Sequence, residues 1–151
     1  MPEITNVVEI LINDHNLVKR LFKQFEQQNE KKVKLQLLVE IVREVGIHSK
    51  VEEEIVYPVV EMASMEKAAE SYEEHHVVEE VMAELGNMSV LNVRAMAKIK
   101  VLQELVLHHI EEEETTVLPI LEQTGANLNA LGQRVLQRKQ ELKQLVSRKA
   151  A

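Results

Sequence analysis

A chain of 151 residues with 45% apolar and 28% charged residues is long enough to bury one substantial core, and with only four Gly and three Pro it reads as all-α. Its formal charge of −7 argues against nucleic acid as the main partner, because phosphate backbones call for a basic face. The absence of cysteine excludes disulfides, iron–sulfur clusters and thiolate zinc sites. The opening stretch MPEITNVVEILINDHN carries acids early and no basic run, so no secretory signal is expected. No apolar run approaches the ~20 residues of a membrane span, and the expected compartment is the cytoplasm.

The 3.6-residue period predicts five helices. The first covers Thr5 to Gln28, with Ile4, Val8, Leu11, His15, Val18, Phe22 and Phe25 in line. NEKK then makes a polar turn. The second covers Val33 to Met62, with Leu38, Ile41, Val45, His48, Glu52, Ile55 and Val59 on one face. The third covers Glu66 to Asn87, aligning Ser71, His75, Val78, Met82 and Leu85, and GN at 86–87 is a stop signal. The fourth covers Leu91 to Gln123, aligning Leu102, Leu105, His109, Glu113, Thr116 and Ile120, and TGAN breaks the chain after it. The fifth, Leu128 to Val146, is shorter and basic toward its end. Four long helices with short connections make an up-down antiparallel four-helix bundle over residues 1–123. Residues 124–151 add an accessory helix that lies across the bundle or against a second copy, which makes a homodimer through this helix a candidate assembly.

The chain repeats itself at about sixty residues. DHNLVKRLF (14–22) aligns with EHHVVEEVM (74–82), so His15 falls on His75. HSKVEEEIVYP (48–58) aligns with HIEEEETTVLP (109–119), so His48, Glu52 and Pro58 fall on His109, Glu113 and Pro119. Pro58 and Pro119 are expected to bend or end their helices.

Positions i and i+4 share a helix face, so His48 with Glu52, and His109 with Glu113, each point an imidazole and a carboxylate one way. His15 and His75 lie on the apolar stripes of the first and third helices. Each element alone has a plainer explanation, as a satisfied core histidine or part of a solvated acidic face. Together, six such groups aimed at one axis need a cation, because buried carboxylates are costly unless paired or bound to metal. Imidazole with carboxylate suits iron, manganese or zinc. Six ligands exceed one tetrahedral zinc and suit two metals bridged by carboxylates. The repeat selects His75 over His76 and His109 over His108, and His76 sits about 100° further round its helix. Asp14 and Glu74, each just before a lone His, are candidates to hold ligand imidazoles. Glu79, one turn after His75, is a candidate to reach a metal, though a solvated face is its plainer reading. Tyr57 is a possible neighbour of the site, with simple packing the plainer reading.

On the DH at 14–15, the EEHH at 73–76 and the two His-x-x-x-Glu segments with Pro at ten, the sequence resembles the hemerythrin-like, or HHE cation-binding, family over about residues 4–122. The resemblance implies a bundle holding a non-haem di-iron centre, with His15, His48, Glu52, His75, His109 and Glu113 as ligands. It implies Glu52 and Glu113 as bridging carboxylates, and an oxo, hydroxo or water bridge between the irons. Manganese and zinc are possible substitutes. Oxygen-carrying members place a further His where this chain has Glu79, a departure that argues against simple oxygen carriage.

Three functions compete. The first is a protein that binds or senses O2 or another small diatomic, or iron. The second is a di-iron oxidoreductase acting on peroxide or nitric oxide, or an iron-handling repair protein. The third is a metal-free interaction bundle, which predicts that the four buried histidines tolerate Leu.

Overall fold

A computed structural model describes residues 3–88 and 91–150. The helices are α1 (Val7–Gln27), α2 (Lys31–Val51), α3 (Tyr57–Ala63), α4 (Met65–Gly86), α5 (Val93–Glu112), α6 (Leu118–Gln123) and α7 (Leu128–Ala150). Side-chain caps set their starts. Asn6 accepts from the Val8 N–H, Ser64 from Lys67, Asn92 from Ala95 and Asn127 from Ala130. Gly125, at φ 78°, supplies the left-handed turn that leads into α7. Among the described residues no helix is long and apolar enough to cross a membrane.

α2 and α3 form one continuous rod, joined by a π-helical turn at Glu52–Val56, and α5 and α6 are joined in the same way at Glu113–Val117. With α1 and α4 these rods make the four-helix bundle. Neither proline ends its helix: the rods run on to Ala63 and Gln123. A prolyl ring in an α-helix meets the carbonyl four residues back. Here the backbone has already opened to i→i+5, with Tyr57 N–H on the Glu52 carbonyl and Leu118 N–H on the Glu113 carbonyl. The extra residue also shifts the apolar phase. Val117, Leu118 and Leu121 are buried, while Thr116 and Ile120, in line with Glu113 at α-helical spacing, are only partly buried.

Two apolar clusters fill the bundle. One gathers Val7, Leu11, Val51, Val56, Val60 and Leu121. The other gathers Val18, Phe22, Ile41, Leu85, Ile99 and Leu102. His15, His48, Glu52, His75, His109 and Glu113 are all buried and form the polar layer between the two clusters. Ile4, read as part of the first apolar stripe, is 48% exposed.

α7 packs on α1 and α2. Leu131 and Val135 enter the first cluster. Gly132 lets the backbones approach, because a Cβ there would lie 1.5 Å from the Thr5 carbonyl oxygen.

Candidate metal centre

The six residues singled out from sequence converge. Their donor atoms form two groups, His15–His48–Glu52–Glu113 and Glu52–His75–His109–Glu113, each with all its atoms within 4.8 Å of one another. Both carboxylates belong to both groups. The Nε2 atoms of His15 and His48 lie 3.2 Å apart, and those of His75 and His109 lie 3.1 Å apart. Glu113 gives one oxygen to each side, Oε1 at 3.1 Å from His15 Nε2 and Oε2 at 3.2 Å from His109 Nε2. Glu52 Oε1 lies 3.0 Å from His48 Nε2 and 3.3 Å from His75 Nε2.

Each imidazole also has a carboxylate at its outer nitrogen. Asp14 holds His48 Nδ1 at 3.0 Å and Glu74 holds His109 Nδ1 at 3.0 Å. Glu114 holds His15 Nδ1 at 3.1 Å, and Glu53 stands 3.5 Å from His75 Nδ1. Such partners fix the ring orientation and raise the basicity of the inward nitrogen. Asp14 and Glu74 were expected from their place before a histidine. Glu53 and Glu114 were not, because each is hidden in a run of glutamates. The repeat held the signal, since each directly follows the inward Glu of its half.

Tyr57 is the other residue whose role the sequence reading understated. It is fully buried, and its hydroxyl donates to Glu113 Oε2 at 2.7 Å. The Tyr57 hydroxyl oxygen also stands 3.0 Å from His75 Nε2, 3.3 Å from His109 Nε2 and 3.4 Å from Glu52 Oε1. In an α-helix a residue five positions after Glu52 points about 140° away from it. The π turn closes i onto i+5 and brings Tyr57 over the carboxylate.

The remaining candidates lie outside the site. Glu79 is exposed and does not reach it. His76 and His108 are exposed, as expected, with His76 3.3 Å from Glu80 and His108 3.9 Å from Glu74.

The imidazoles of His48, His75 and His109 are held toward their charged forms. Burial opposes charge on His48, yet Glu52 and Asp14 hold its imidazole well above the ordinary range. Burial likewise opposes charge on His109, but hydrogen bonds to Glu113 and Glu74 push it up to about 10. His75 is raised in the same manner, against burial, by Glu52 and Glu53. Burial would raise Glu113, but the imidazoles of His109 and His15 beside it hold it well below the usual carboxylate range. Glu52 Oε2 is buried with no hydrogen-bond partner. An orphaned carboxylate oxygen among inward-facing imidazole nitrogens fits a bound cation, which supplies the charge that protons otherwise carry.

Val18, Val45, Val78 and Val106 stand three residues from His15, His48, His75 and His109, on the same helix faces and one from each helix of the bundle. They help line a cavity of about 20 Å³ beside the four imidazoles. That is room for about one water-sized molecule.

An all-α bundle with a buried histidine–carboxylate group suited to cations is the class that fold and site define. The profile of the hemerythrin HHE cation binding domain matches residues 6–121, and the chain belongs to that family. A crystal structure of a hemerythrin HHE cation binding domain-containing protein from Mycobacterium kansasii shares the fold, with a TM-score of 0.86 at 20% identity over 97% of this chain and 92% of that one. Coverage of that extent takes in most of α7. A DNA nickase from Nostoc sp. is 25% identical over 113 residues, which cover 74% of this chain and 32% of that protein. An uncharacterized hemerythrin-like protein from Schizosaccharomyces pombe is 26% identical over 124 residues, covering 80% of this chain and 61% of that protein. The chain thus spans about a third to three fifths of the length of these two relatives.

Proposed function

We propose that the chain is a non-haem di-iron protein that binds or senses O2 or another small diatomic molecule, or iron itself. The observation that carries the reading is the sharing of both carboxylates by two His2Glu2 groups. His15 and His48 would hold one iron, His75 and His109 the other, and Glu52 and Glu113 would bridge them. When bound, the two irons would supply reversible electron transfer to a small ligand beside them. Imidazole and carboxylate donors also accept manganese or zinc, so the cation present in the cell is decided by supply as well as by the site.

The protein's own part is to orient, exclude and hold protons. Glu114, Asp14 and Glu74 keep the Nε2 atoms of His15, His48 and His109 turned inward. Val18, Val45, Val78 and Val106 wall one side of the small cavity beside the imidazoles and keep any ligand there small. Tyr57 holds its proton on Glu113 Oε2. Nucleic acid stays outside this reading, because a chain of net charge −7 repels phosphate and the match to a DNA nickase spans 32% of that protein.

Tyr57 favours a second reading, a di-iron oxidoreductase acting on peroxide or nitric oxide. A buried phenol stands within hydrogen-bond reach of four inward ligand atoms, and burial with the Glu52 and Glu113 carboxylates keeps its proton in place as a hydrogen-bond donor there. Steady-state turnover of peroxide or nitric oxide separates the two readings.

The test of the shared core is iron content per chain, with an absorption spectrum before and after air reaches an Fe(II)-loaded sample. Two irons per chain and a new near-ultraviolet or visible band are expected, both lost in His48→Ala and His109→Ala. A well-folded chain that ignores Fe(II) would sink the proposal.

A further inference from the structure

The two halves of the centre repeat each other in their inward donors but not in what stands behind them. Asp14, which holds His48, also accepts a hydrogen bond from Lys139 of α7. That pair is well shielded, with side chains 14% and 13% exposed. Glu114, which holds His15, has Lys19 at 3.9 Å. On the other half Glu74 holds His109, and Glu53 stands 3.5 Å from His75 Nδ1 without a hydrogen bond. Among the described residues no lysine or arginine stands within 4.0 Å of either carboxylate, and Glu74 has only the exposed imidazole of His108 at 3.9 Å. The first half therefore carries a shielded positive charge that the second half lacks.

A lysine in this position acts on a bound cation in two ways, both in one direction. It repels the cation through a medium of low dielectric. It also draws on the Asp14 carboxylate, which then polarises the Nδ1–H of His48 less and leaves its Nε2 a weaker donor. We propose that the two cation positions are unequal: the His75–His109 position fills first, and Lys139 of α7 holds down the affinity of the His15–His48 position. Lys139 is then a positioning residue that the helix outside the family match contributes to the centre. The inference rests on the proposed pair of cations.

The experiment is anaerobic calorimetric titration of the full chain, cleared of metal by a chelator, with Fe(II) at pH 8, where an exposed imidazole is ordinarily neutral. Two binding steps of unequal affinity are expected. Lys139→Met should tighten the weaker step by about tenfold and leave the stronger one in place. Glu74→Gln should weaken the stronger step. Arg138→Gln controls for loosening of α7, because Arg138 ties the same helix to Glu54 without touching an orienting carboxylate. It should leave both steps unchanged, with circular dichroism confirming the fold of each variant. Equal steps in the parent chain would overturn this inference and spare the metal reading. So would a Lys139→Met variant with both steps unchanged or either one weakened, or the same change in Arg138→Gln. No Fe(II) binding by the parent chain would overturn both.

Discussion

The Tyr57 hydroxyl donates to Glu113 Oε2 across the bundle and so ties one π turn to the other at the level of the cation site. The repeat puts Leu118 where Tyr57 would recur, and Leu118 is buried in the apolar core. The site is therefore two-fold in its histidines and glutamates but single in its phenol. Tyr57→Phe should keep the fold and two bound cations at a cost of about 1–3 kcal/mol, the range for leaving a buried acceptor short of a partner. Chemical denaturation checks the cost. The absorption band of the iron-loaded, air-exposed protein should move; an identical spectrum would mean that the phenol only braces the two turns.

Asp14→Asn and Glu74→Gln each weaken the carboxylate that orients a ligand imidazole while keeping its shape. Each should lower cation affinity about 10–100-fold without unfolding the bundle. Competition with a chromophoric chelator measures the change. Affinities that match the parent would show the outer carboxylates to be bystanders.

Removing the cation should destabilise the fold. With free cation at about 100 times its dissociation constant, a single bound ion adds about 2.7 kcal/mol, so chelation should lower the melting temperature by about 5–10 °C. Scanning calorimetry with and without chelator gives the answer. Superimposable transitions would argue against a resident metal.

His15→Leu and His75→Leu separate a metal centre from a bundle that merely tolerates buried histidine. Without cation, either variant should lose about 3–5 kcal/mol, because Leu strips a partner from a buried carboxylate, Glu113 for His15 and Glu52 for His75, and leaves that charge uncompensated. With cation present, the parent should gain stability and the variants should not. Equal responses of parent and variants to Fe(II) would count against these residues as ligands.

Two glycines should respond in opposite senses to alanine. At Gly132 the added Cβ meets the Thr5 backbone, so α7 must shift, at a cost of about 1–3 kcal/mol. At Gly46, inside α2, nothing lies within 4 Å, and alanine should gain about 0.5–1 kcal/mol from helix propensity. Thermal unfolding of the pair reads both signs. A harmless Gly132→Ala would mean that α7 is not held against α1 as closely as the structure has it.

What could be read from the chain alone was whatever depends on period and repetition. The helical period gives the bundle. The sixty-residue repeat selects His75 over His76 and His109 over His108, and it is the tertiary structure that gathers these with the other four in one buried layer. Three things needed the third dimension. The π turns insert a residue into the helical phase, so periodicity aimed Tyr57 away from Glu52 and favoured Thr116 and Ile120 over Val117, Leu118 and Leu121. Glu53 and Glu114 sit in acidic runs that look solvated until histidines from other helices are placed against them. Lys139 lies 125 residues from Asp14, and no local pattern joins the two. Periodicity records which side of its own helix a residue occupies; only packing decides which residues of other helices stand opposite.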